Sequence, residues 1–166
     1  MDNNLGALSD CDTALSIDKA VPRAHGIRGL VFTRMGDYSA AISEFDAEIS
    51  IQPEHPAAYR ERGLAYGEIG DLEKALADAD AALGLNAGYA EAYVDRGNIL
   101  RRKGENLQAL ADFSTAIELE PNDANAYRGR GELYRDMGDM DKAEADFVMA
   151  VALASADRFA STQPVQ

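Results

Sequence analysis

Apolar and polar positions recur along this chain at the spacing of amphipathic helices, and the stretch YRERGLAYGEIGD, residues 59–71, shows the pattern with one oddity. Gly63 stands in its middle with a charged Arg62 beside it, although glycine inside a helix costs about 1 kcal/mol relative to alanine. The oddity returns: residues 93–105 read YVDRGNILRRKGE, 127–139 read YRGRGELYRDMGD, and 25–37 give a weaker copy, HGIRGLVFTRMGD. Gly29, Gly63, Gly97 and Gly131 are spaced 34 residues apart, as are Arg28, Arg62, Arg96 and Arg130. A fixed period of this length predicts stacked supersecondary units rather than one globular core.

With slots numbered 1 to 34 from Pro22, full units run over 22–55, 56–89, 90–123 and 124–157, and residues 1–21 fill the later slots of an incomplete unit. Slot 15 holds Gly36, Gly70, Gly104 and Gly138, suited to the left-handed residue that ends a helix. The next slot holds Asp37, Asp71, Glu105 and Asp139; aspartate is a good N-cap and glutamate a poorer one. Pro22 and Pro56 open first helices, and Pro53 and Pro121 mark exits from second helices. Each unit therefore reads as a helical hairpin.

Two antiparallel helices joined near slot 15 bring together slots whose numbers sum to about 30. Slot 20 is alanine throughout (Ala7, Ala41, Ala75, Ala109, Ala143) and should approach the slot-8 glycines. Slot 7 should face slot 23, which predicts the pairs Arg28–Glu44, Arg62–Asp78, Arg96–Asp112 and Arg130–Asp146.

The pattern resembles the tetratricopeptide repeat, which in the third full unit corresponds to Tyr93, Gly97, Leu100, Ala109, Phe113, Ala116 and Pro121. The resemblance covers essentially residues 1–154. It implies an all-α fold, an α-solenoid with a right-handed superhelix of four full repeats plus an N-terminal half repeat, followed by a tail over 158–166. It also implies that first helices line a concave groove for peptides or partner proteins, without catalysis. Ala79 and Cys11 replace the slot-24 aromatic of Phe45, Phe113 and Phe147, and two further positions depart from the pattern. His25 replaces the tyrosine of Tyr59, Tyr93 and Tyr127, and Glu48 replaces the alanine of Ala14, Ala82, Ala116 and Ala150. Their slots should meet, so a His25–Glu48 contact is expected, the alternative being independent exposure.

Composition narrows the function. The formal charge of −13 disfavours nucleic acid and anionic membrane surfaces as partners. No apolar run approaches a membrane span and no secretory signal is visible, so a cytoplasmic location is expected. The single Cys11 forms no internal disulfide and reads as a small core residue. No Walker loop, GxSxG, HExxH or zinc-spaced cysteine pair occurs, so no enzyme activity, cofactor or metal is expected.

Charge is also sorted by helix: slots 1–14 carry 12 basic and 6 acidic residues, slots 15–34 carry 2 and 19. The family directs slots 2, 5, 9 and 12 inward, which nominates Arg23, Leu30, Arg60, Leu64, Val94, Asn98, Arg101, Arg128 and Arg135 as a partner-binding groove. Five arginines against Glu91 and Glu132, with apolar residues between, suit an extended peptide bearing acidic and apolar side chains; the alternative is a solvated helix face. The lysine and asparagine clamp by which some family members grip chaperone tails is lacking. At the N-terminus, the helix over about residues 4–17 would lack a first-helix partner and leave Leu5, Leu8 and Cys11 partly uncovered. That suggests self-association, possible homodimerisation, or assembly within a larger complex or longer protein. Near the other end, Phe159 is a candidate cap.

Overall fold

The computed structural model describes residues 2–161, and Phe159's side chain lies outside what it describes. Among the described residues there are nine α-helices and no strands: α1 (Asp2–Ile17), α2 (Pro22–Met35), α3 (Tyr38–Ile51), α4 (Pro56–Glu68), α5 (Leu72–Leu85), α6 (Ala90–Lys103), α7 (Asn106–Leu119), α8 (Ala124–Asp136) and α9 (Met140–Ser161). They fall into two compact units, one through Ala87 and one from Gly88. In the first, α2 pairs with α3 and α4 with α5, α1 packs on α2, and α3 packs on α4. In the second, α6 pairs with α7 and α8 with α9, and α7 packs on α8.

Each hairpin turns where a residue without Cβ is needed. Gly36, Gly70, Gly104 and Gly138 have φ between 77° and 85°, and no other described residue has positive φ. The following N–H closes the helix on the slot-11 carbonyl in all four turns, Asp37 to Phe32, Asp71 to Tyr66, Glu105 to Leu100 and Asp139 to Tyr134, at 2.9–3.0 Å. Asp37 and Asp71 then cap the next helix, accepting from the N–H of Ala40 and Lys74, whereas Glu105 makes no side-chain cap bond.

The helices approach closely where the slot-8 glycines lie, but the group they admit is chiefly the slot-24 aromatic ring. A Cβ on Gly29 would fall 2.6 Å from Phe45, one on Gly97 2.9 Å from Phe113, and one on Gly131 2.9 Å from Phe147. In the hairpin with Ala79 at slot 24 no ring intervenes, and a Cβ on Gly63 would meet Asp78 Cβ at 3.1 Å and the Ala75 carbonyl at 3.2 Å; the Ala143 carbonyl lies similarly near Gly131, at 3.3 Å. Phe113 is also pressed by Gly129 of the next hairpin, so its ring sits between two glycines on neighbouring first helices. Phe45, Phe113, Leu133 and Val31 are the largest fully buried side chains.

All four expected arginine pairs form. Arg62, Arg96 and Arg130 each make two bonds of 2.6–2.9 Å to the carboxylates of Asp78, Asp112 and Asp146, and Arg28 reaches Glu44 at 2.5 Å. These carboxylates are held at the helix interface, with the three aspartates 5–6% exposed. Bonding to them raises the pKa of Arg28, Arg62 and Arg130 further, so these guanidinium groups stay charged. The slot-4 tyrosines lie beneath the same guanidinium groups, 5.5–5.7 Å from centroid to Cζ at Tyr59, Tyr93 and Tyr127. Arg28 and Arg62 also reach back to the preceding second helix, to Asp12 (2.8 Å) and Asp46 (2.6 Å). The corresponding slot before Arg130 holds Ser114, whose hydroxyl donates to the Leu110 carbonyl within its own helix at 2.8 Å.

Candidate functional site

In each unit the first helices of successive hairpins touch, α2 with α4 and α6 with α8. The nominated residues lie on these helices and differ in what they offer. Arg23 and Arg128 are exposed, and so is Leu30 at 41%; Leu64 and Asn98 are half-buried. Arg128 donates to Asn125 Oδ1 at 2.8 Å, and the exposed Arg135 lies 5.9 Å from the Phe147 ring centroid.

The other two arginines already hold carboxylates. Arg60 pairs with Glu61 at 3.1 Å, and Arg101 donates to Glu132 at 2.8 Å and Asp136 at 2.6 Å on α8. Val94 is 6% exposed and belongs to the core, its short side chain staying among its neighbours where the longer Arg128 emerges from the same slot. Cys11 is likewise 5% exposed, lying against α2, so it presents no outer surface; burial pushes its thiol up. Leu5, at 63%, remains exposed, and Leu8 is half-buried.

The expected His25–Glu48 contact does not form. His25 instead spans Glu44, with Nδ1···Oε2 at 2.8 Å, and the Lys19 carbonyl, with Nε2···O at 3.2 Å. The physical reason is length: the other units carry aspartate in the slot of Glu44, and glutamate's extra methylene lets one carboxylate serve both Arg28 and His25. Glu48, 5% exposed, takes His55 Nδ1 at 3.0 Å from the connection that follows its own helix. The signal for this pair is the fold-back of PEHP over the last turn of α3, only seven residues on.

Glu48 forms one side of a cleft of about 440 Å³ within the first unit, bounded by α2, the end of α3 and the start of α4. Gly26 makes room for it, since a Cβ there would lie 2.5 Å from Glu48 Oε2. Glu61, also on the cleft, has its pKa raised by burial and by Glu48, with Arg60 opposing.

Family models for the tetratricopeptide repeat match residues 28–90 and 124–157, and a further repeat model matches 97–138. The chain belongs to the tetratricopeptide repeat family. Solved structures agree in fold. A crystal structure of MamA is 23% identical with a TM-score of 0.80, covering 95% of this chain and 92% of that one. TTC0263, a thermophilic member from Thermus thermophilus, is 25% identical with a TM-score of 0.80, covering 93% and 87%. YrrB, described as a repeat protein with an unusual peptide-binding site, is 24% identical with a TM-score of 0.72, covering 92% and 78%. Among curated proteins, none matches this chain. As a tetratricopeptide repeat protein it is all-α, and no described helix is long and apolar enough to cross a membrane.

Proposed function

We propose that this tetratricopeptide repeat chain is a non-catalytic adaptor of the cytoplasm that binds a peptide or protein segment on the inner slots of its first helices. The observation that supports the reading is the side-by-side contact of first helices within each unit, as a shared face built from their inner slots would require. Acidic and apolar side chains suit the exposed Arg23 with Leu30 and Leu64 in the first unit and the exposed Arg128 and Arg135 in the second, while Arg60 and Arg101 enter only by exchanging their present carboxylates. Affinity capture followed by calorimetry on the purified partner tests it. Arg128→Glu/Arg135→Glu should weaken binding at least about tenfold with an unchanged melting temperature; unaltered affinity refutes the assignment of this face.

A second reading, an assembly or oligomerisation module, is favoured by exposed Leu5 and Ile17 (83%) on α1. If α1 self-associates, Leu5→Glu/Leu8→Glu should convert a larger species to a monomer in light scattering, and a monomeric wild type excludes the homodimer.

A further inference from the structure

We infer that the cleft in the first unit takes one lysine or arginine side chain of the partner, its stem along Ile27 and Leu30 and its cationic head at Glu48 and Glu61. This deepens the adaptor reading and rests on it. Two features peculiar to the first full hairpin meet at one point. Every other unit has alanine where Glu48 stands, and the other full units have Arg60, Val94 or Arg128 where Gly26 stands. One change brings a carboxylate in; the other removes the side chain that would collide with it, since even a Cβ would sit 2.5 Å from Oε2. Together they leave an open volume of about 440 Å³, room for a long side chain and the backbone that carries it.

A carboxylate that is 5% exposed is costly unless compensated, and Glu48 has one histidine nitrogen at 3.0 Å, from a ring that is itself 41% exposed. The neighbouring Glu61 feels the same shortage, because burial and Glu48 outweigh Arg60 in raising its pKa. At the rim, Ile27 and Leu30 are 38% and 41% exposed, an apolar track for a methylene stem whose charged end lies deeper. Arg23 also lines the cleft and would favour a carboxylate ligand instead, so the two charges give opposite outcomes.

The test is a ¹⁵N amide-shift titration of the whole chain with four probes: the Nα-acetyl amides of lysine, norleucine, glutamine and glutamate. Lysine amide should give saturable shifts at Gly26, Leu30, Ala58 and Glu61, at least about tenfold stronger than norleucine, which shares the stem without the charge. Glu48→Gln and Glu61→Gln should each weaken the response about tenfold, with dispersed spectra confirming the fold; either variant suffices if the other fails to fold. Equal response to norleucine, preference for glutamate, no saturation by about 50 mM, or a lysine response indifferent to both variants overturns the inference. Arg128→Glu/Arg135→Glu should leave the lysine response intact. A lost lysine response with partner binding still sensitive to those arginines sinks the cleft alone, and the converse sinks the adaptor face alone.

Discussion

Arg130 and Asp146 show how one residue pair fastens a hairpin. Two bonds of 2.8 and 2.9 Å join a guanidinium to a carboxylate that is 6% exposed, so truncating the arginine strands a buried charge. Arg130→Ala should cost about 3 kcal/mol, whereas Arg130→Met/Asp146→Leu should recover most of it, read by urea unfolding. Glu61 behaves in the opposite sense. Burial raises its pKa, so the folded state binds its proton more tightly than the unfolded chain does. Stability gained from Glu61 therefore rises as pH falls through its raised value and levels off below the unfolded value of about 4.3. In Glu61→Gln this gain should be missing from the difference in melting temperature between variant and wild type; parallel pH profiles would contradict it. The arginine pairs were legible because four copies carry the same two slots. The histidines were not: slots four apart lie one turn apart, so the antiparallel rule could not separate Glu44 from Glu48, and side-chain length decided.

At the scale of the helix, a glycine's effect depends on what its missing Cβ would meet. Gly84, near the end of α5, has nothing within 4 Å, and Gly84→Ala should stabilise by up to about 1 kcal/mol. Gly129 faces Phe113, with a Cβ only 2.5 Å from the ring, and Gly129→Ala should destabilise by about 1–3 kcal/mol despite the better helix propensity. Thermal unfolding of the two variants checks both signs at once. The ends of the first helices were plain in the sequence because a left-handed residue at φ near 80° strongly favours glycine. The neutralisation of Arg101 was not, because its partners, Glu132 and Asp136, come from the next first helix, 31 and 35 residues on.

Within each unit, stability follows from contacts between neighbouring hairpins, as expected of stacked repeats. Those seams are not alike within the two units. Arg28 and Arg62 cross theirs to Asp12 and Asp46, but the slot before Arg130 holds Ser114. Ser114→Asp should add the missing link and stabilise by about 0.2–1 kcal/mol, measured by urea unfolding at low salt. The repeat architecture could be read from periodicity alone. What each seam is made of could not, because its partners lie outside the hairpin whose spacing revealed them.

Dissolved salt should therefore distinguish the joints. Added potassium chloride weakens exposed ion pairs as the screening length falls from about 10 Å at 0.1 M to about 3 Å at 1 M, and Asp12 and Asp46 have side chains 66% and 53% exposed. Raising ionic strength should loosen hydrogen-exchange protection across α1–α2 and α3–α4. The α7–α8 seam has a phenyl ring between two glycines and a serine in place of that ionic latch, so salt should act on these two hairpins through Arg101, Glu132 and Asp136 between α6 and α8 and leave protection across α7–α8 unchanged.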